Sequence, residues 1–326
     1  MKTKLLRILR ETKEYVSGQQ LCECFGVSRT AVWKMIGQLK EEGYEIEAVK
    51  NRGYRIVNTP DVMSSQEILS RLHSEWMGHK CIHLTSIDST NNYARKIAEE
   101  GALAGTLVVA DEQTAGKGRR GRSWETPDHV NIMMTLLLRP RIHPGPAPRM
   151  TLLMAMAAAQ SIRAETGLEA FIKWPNDVVL NGKKVCGILT EMSAEVDYIN
   201  YVVVGIGINV NQESFPGELA RTAGSLYLAL GKKISRAALA VRIVERFEKL
   251  YETFVKTEDL RELYEEYNGM CINCGRQVQV REPGNVYTGT TDGINEKGEL
   301  IVRREDGETV CIYAGEVSVR GLYGYV

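Results

Sequence analysis

The stretch EQTAGKGRRGRSWETP, Glu112 to Pro127, gathers side chains suited to handling an anion. Four cations, Lys117, Arg119, Arg120 and Arg122, are interleaved with Gly116, Gly118 and Gly121. The spacing imitates two nucleotide motifs, G-x-G-x-x-G and G-x-x-x-x-G-[KR]-S. Both need a helix directly after the glycines, because the helix N-terminus receives the phosphates. Here the chain continues RSWETPDHV, with Pro127, into a strand-like apolar run. Arg122 also stands where a P-loop requires the point charge of lysine. A nucleic-acid patch would explain the charge but not the glycines. Glycines let backbone N–H groups approach a phosphate while arginine forks grip its oxygens. Such a loop can fold over a small anionic ligand and exclude water.

The elements that must position this loop are a mixture of strands and helices. CIHLTSI from Cys81, GTLVVADEQ and VNIMMTLLLRP read as strands, and STNNYARKIAEEG reads as a helix ending at Gly101. A Pro-rich segment, 140–148, leads into an apolar helix running to about Thr166. Asn181-Gly182 between apolar runs signals a tight hairpin, since both residues tolerate positive φ. At least one antiparallel pair is therefore expected, which argues against a doubly wound parallel sheet.

Residues 1–60 read differently. SGQQLCECFGVSRTAVWKMIGQLKEEGY gives helix, turn, helix, broken at Gly26 and restarted with Ser28 as N-cap. Val32, Met35, Ile36 and Leu39 share one face, leaving Arg29, Thr30, Trp33 and Lys34 on others. A hairpin with its turn near Asn51 to Gly53 follows, so the segment resembles a winged helix. Eleven basic and seven acidic residues give it a balance of about +4. Ser28, Arg29, Thr30, Trp33 and Lys34 would face DNA from the recognition helix, with Lys50 and Arg52 at the wing. The competing reading is a protein-interaction domain with a solvated basic face. Residues 61–80 read as a linker. At the other end, residues 244–268 read as helical, and short alternating runs with turns at Pro283-Gly284, Lys297-Gly298 and Asp306-Gly307 suggest a small barrel.

The 326-residue chain has zero formal net charge, so any affinity for a polyanion must be local. No apolar run reaches membrane-spanning length, and the basic start lacks the apolar core of a signal peptide. A cytosolic location is expected, with the seven cysteines reduced and the lone Cys271-x-x-Cys274 short of a zinc site.

Five motifs then converge: DSTN (88–91), GKGRRGRSW (116–124), KWPND (173–177), NGKKVCGIL (181–189) and GIGINVN (205–211). Their order resembles that of biotin–protein ligases, and the winged helix in front resembles the bacterial bifunctional ligase–repressors. The resemblance implies an α+β multidomain fold. A winged helix-turn-helix spans 1–60, a class II synthetase-type catalytic domain 81–269, and an SH3-like barrel 270–326. It implies ATP, Mg2+ and biotin as substrates, biotinyl-5′-AMP as intermediate, and a lysine of the biotin carboxyl carrier protein as acceptor. It also implies an adenylate-promoted homodimer that represses at a two-part operator.

The resemblance also assigns roles. Arg119, Lys184 and Asp177 carry the chemistry. Ser89, Thr90, Asn91, Gln113, Lys117, Gly118, Arg119, Trp124, Lys184, Gly187 and Gly205 bind biotin. Arg119, Arg122, Lys173, Asn176, Asp177 and Asn209 serve ATP, with Asn176 and Asp177 near Mg2+. Gly207 would permit close ligand approach. Lys117 departs from the arginine of many members, losing a bidentate fork, and no tryptophan near Gly224-Ser225-Leu226 is available to stack on adenine. A lipoyl ligase and a ligand-sensing repressor without ligase activity are the rival readings.

Overall fold

The computed structural model describes the chain except residues 13, 283–284, 314–317 and 322–326, and omits the side chains of 282 and 318–321. Three helices open it: α1 (Lys2–Glu11), α2 (Gly18–Phe25) and α3 (Arg29–Glu41). Gly26 ends α2 in the left-handed conformation and Ser28 Oγ accepts from Ala31 N at 3.3 Å, so the expected break and restart are both present. β1 (Glu45–Val49) and β2 (Gly53–Asn58) form the antiparallel wing. Leu5, Leu6, Leu21, Val32, Ile36 and Leu39 close a core of their own.

The expected linker, 61–80, is a correction. It contains α4 (Ser65–Arg71), capped by Ser64, with Ile68 and Leu72 buried in the central core beside Met63 and Met77. The turn-rich NTPDVMSS hides this helix in the sequence because its apolar partners lie far along the chain.

The central sheet has seven strands: β3 (Cys81–Ile87), β4 (Leu107–Gln113), β5 (Ile132–Leu138), β6 (Phe171–Lys173), β7 (Asp177–Leu180), β8 (Lys183–Ala194) and β9 (Ile199–Ile208). Their order is β3-β4-β5-β9-β8-β7-β6, parallel only between β3 and β4. One face carries α5 (Thr90–Glu99). The other carries α6 (Met150–Thr166), whose residues are buried on nearly all sides because α9 (Arg236–Thr257) covers it from outside. Two short helices, α7 (Leu219–Thr222) and α8 (Leu226–Leu230), follow β9. The helical segment expected to run on to Asn268 is broken at Glu258, φ 58°, and resumes as α10 (Tyr264–Met270).

The C-terminal part is an antiparallel sheet of β10 (Gln277–Glu282), β11 (Asn285–Ile294), β12 (Leu300–Arg304), β13 (Thr309–Ile312) and β14 (Ser318–Gly321), ordered β13-β12-β11-β10-β14. Gly298 and Gly307 take positive φ at their expected turns, while the Pro283-Gly284 turn lies outside the described residues. Cys271 is buried and Cys274 exposed, and no group of three or more potential metal ligands occurs among the described residues. No helix among them is long and apolar enough to cross a membrane.

Candidate active site

Two hairpin residues place the central lysine. Asn181 and Gly182 have φ of 51° and 74°, the left-handed pair that a two-residue turn between twisted strands demands. The turn sets β8 against β7, where Lys184 Nζ lies 2.5 Å from Asp177 Oδ1. Asp177 also pairs in register with Lys173 of β6, itself only 7% exposed. Three charged groups are thus fixed on strands rather than on a mobile loop.

The cationic loop folds over them. Gly118 N donates to Arg122 O and Trp124 N to Gly116 O, at 2.7 and 2.8 Å, so the loop closes on itself. Arg119 to Gly121 make one helical turn, with Arg120 at φ 59°, and no α-helix follows. Arg119 Nη1 reaches Asn176 Oδ1 at 3.0 Å, and Lys117 Nζ reaches Asn92 Oδ1 at 3.0 Å. Trp124 lies on the sheet: a Cβ added at Gly207 would come within 2.6 Å of the indole. Lys184 Nζ stands 5.6 Å from its ring centroid, and the indole Nε1 is buried without a hydrogen-bond partner in the described residues.

The cavity between loop and sheet has a volume of about 730 Å³. Ser89, Thr90, Asn91 and Gln113 give its lining a group of uncharged polar side chains. Ser89 precedes α5, but its side chain makes no cap hydrogen bond, which leaves its hydroxyl to the cavity. Gln113 Oε1 takes over the cap, accepting from Thr90 N at 2.8 Å and Thr90 Oγ1 at 3.0 Å. Asn91 is pinned by three contacts, donating to Leu189 O and Glu191 Oε2 and accepting from Thr135 Oγ1. Gly205 makes room for it, since a Cβ there would sit 2.1 Å from Asn91 Oδ1.

The lining is also rich in cations. Lys117, Arg119, Arg120, Arg122, Lys173, Lys184 and Arg221 line the cavity against one carboxylate among the described residues, Asp177. This excess of cations suits an anionic ligand. Burial lowers the Arg119 pKa from its ordinary value; Asp177 opposes this and the neighbouring Arg120 and Arg122 add to it. A single carboxylate suits Mg2+ that arrives on nucleotide phosphates, because this ion keeps several waters and needs few protein ligands. Asn176 is already engaged, accepting from Arg119 and donating to Ile188 O at 3.1 Å, so it anchors the lid.

Most residues expected at the site come together, Gly118, Arg122, Gly187 and Gly205 included. Asn209 does not reach the cavity: it is buried and its Nδ2 donates to Gly224 O at 3.0 Å, fixing the segment that carries α7. That segment supplies Arg221 and Thr222, which sequence reasoning missed. Neither falls in a motif with a spacing of its own. Arg120 was counted among the loop's cations but given no role, and it lines the cavity too.

On the winged helix, Arg29, Thr30, Trp33 and Lys34 are exposed on α3, and Lys50 and Arg52 are exposed at the wing. Ser28 is the helix cap, so its hydroxyl is committed to the backbone. The Arg52 guanidinium lies 4.4 Å from the Tyr15 ring centroid, and Arg29 Nη2 donates to Gln19 Oε1 at 3.1 Å.

A winged helix joined to a mixed sheet, with a cationic lid over a Lys–Asp pair, defines a carboxylate-activating enzyme that carries a DNA reader. Family comparisons agree. Residues 84–209 match the biotin/lipoate A/B protein ligase family, 2–55 an HTH domain, and 274–320 the biotin protein ligase C-terminal domain. The chain is 43% identical to the bifunctional ligase/repressor BirA of Bacillus spizizenii over 94% of each chain. It is 28% identical to that of Escherichia coli, over 97% of this chain and 96% of the other. Among solved structures, the biotin protein ligase of Aquifex aeolicus in complex with biotin and ATP superposes with a TM-score of 0.65. That match has 29% identity and covers 74% of this chain and 99% of that one. This chain belongs to the biotin protein ligase family, in the branch whose members carry an N-terminal helix-turn-helix.

Proposed function

We infer that the chain activates biotin with ATP, transfers it to a carrier-protein lysine, and represses transcription in response to that ligand. The observation that carries the reading is the cavity itself, which is lined by uncharged polar groups together with seven cations and one carboxylate. A carboxylate is a poor acyl donor. In the first step its oxygen attacks the α-phosphorus of ATP, the bond to the bridging oxygen breaks, and pyrophosphate leaves. Two anions must meet for this, and cations that screen them lower the barrier. Arg119 and Lys184 would flank the reacting carboxylate and α-phosphate, Lys184 held by Asp177 and Arg119 by Asn176. Lys173 and Arg122 would take the remaining phosphate charge, and Asp177 would face the Mg2+ carried by ATP. In the second step the lysine amine attacks the acyl carbon, AMP leaves, and the nitrogen loses a proton to solvent or base.

Ser89, Thr90 and Gln113 would meet the ureido ring, and Trp124 would cover the ligand. The biotin carboxyl carrier protein is the proposed acceptor. Arg29, Thr30, Trp33, Lys34, Lys50 and Arg52 would contact an operator bound by a ligand-promoted homodimer in the cytosol. The test supplies ATP, Mg2+ and biotin with an acceptor carrier domain. Avidin-detectable acceptor is expected; lipoate transfer in its place would overturn the choice of acid. Removing residues 1–60 should abolish operator binding, and retained sequence-specific binding would overturn the DNA assignment.

A further inference from the structure

The winged helix and the ligase body have separate apolar cores, one built around Leu5, Leu21 and Leu39 and the other around the central sheet. Among the contacts that cross between them is a polar cluster centred on Glu67 of α4. Its carboxylate is buried, with 1% of the side chain exposed. Arg10 Nη2 of α1 lies 2.5 Å from Oε2, the Tyr44 hydroxyl donates to the same oxygen at 2.7 Å, and Arg71 Nε donates to Oε1 at 2.8 Å. Arg7 adds a donor to Leu69 O at 2.6 Å, near the C-terminal end of α4. The connecting chain is held as well: Asp61 accepts from Arg236 Nε at 2.9 Å and from Asn211 Nδ2 at 2.8 Å.

Apolar contact is non-directional and tolerates sliding. A buried carboxylate shared by donors from α1, from the turn between α3 and β1 and from α4 does not, because any rotation strands a charge away from water. We propose that Glu67 is a positioning residue that locks the winged helix on the ligase body at one angle, and so sets the operator half-site spacing a dimer can read. Half-site separation mirrors the separation of the recognition helices. The second part of this proposal rests on the repressor reading; the first does not.

The full-length protein with spin labels on non-natural residues at 40 in α3 and 96 in α5 tests the lock. Wild type should give one narrow distance distribution. Glu67→Gln keeps the shape but loses the charge, and should broaden it while biotin transfer stays unchanged. Tyr44→Phe, a milder change, should broaden it less. An unaltered distribution in Glu67→Gln would overturn the lock. For the DNA part, duplexes selected by wild type with biotin and ATP are re-spaced by one and two base pairs. Wild type should reject them and Glu67→Gln should lose that preference; an undiminished preference would overturn the spacing role. Wild type that selects no DNA, with the distance result intact, would overturn the repressor reading and leave the lock standing.

Discussion

The lid and the floor of the cavity carry similar charges on different supports. Lys184, Lys173 and Asp177 sit on paired strands, where neighbouring hydrogen bonds fix each Cα. Lys117, Arg119, Arg120 and Arg122 sit on a loop outside the sheet's strand pairing, held by backbone bonds of its own and by contacts that include Arg119 to Asn176 and Lys117 to Asn92. Fixed cations can be preorganised for a transition state, whereas loop cations must be ordered by the ligand they cover. The floor should therefore dominate the chemical step, to which the lid contributes through Arg119 alone, and the lid as a whole should govern retention of the product adenylate.

The sharpest way to break this contrast is Lys184→Ala. It should lower biotin-dependent pyrophosphate exchange by roughly 10²–10³-fold, the effect of losing one preorganised charge donor. A loss confined to KM would move Lys184 out of the chemical step. Arg119→Lys retains the charge but not the fork, and should speed adenylate dissociation by about tenfold, about 1.4 kcal/mol. Stopped-flow dissociation measures this, and a change in exchange rate without one in dissociation would blur lid into floor. Gly207→Ala drives a methyl group into the Trp124 indole, and should weaken biotin binding by a few kcal/mol at most, about the strain of overpacking. Calorimetry showing wild-type affinity would mean that Trp124 does not cover the ligand. Lys117→Ala should have the smallest effect, about 1 kcal/mol or less, because its hydrogen bond to Asn92 is exposed. A larger loss would show that this lysine meets the ligand directly.

The same contrast divides what the sequence revealed from what it hid. The hairpin at Asn181-Gly182 was legible because positive φ restricts residue choice, and it carried Lys184 onto a strand. The lid was legible as neither a dinucleotide fingerprint nor a P-loop because a proline and a strand followed its glycines. Ser89 could be taken for a simple cap, but Gln113, 24 positions along the sequence, supplies the cap and frees it. Arg221 and Thr222 were silent because a cavity wall built from an irregular segment has no period. Glu67 was silent too: a glutamate in a short polar helix reads as solvated until its partners, Arg10 and Tyr44, are folded against it. Local conformational rules can be read from a few neighbouring residues, whereas burial of a charge depends on the whole fold.

The central claim is that this cavity activates a carboxylate as its adenylate. Protein incubated with biotin and Mg-ATP, without any carrier, should retain biotinyl-5′-AMP, seen by mass spectrometry after rapid desalting and denaturation. Recovery of unreacted biotin and ATP, or of an adenylate only when lipoate replaces biotin, would contradict the account.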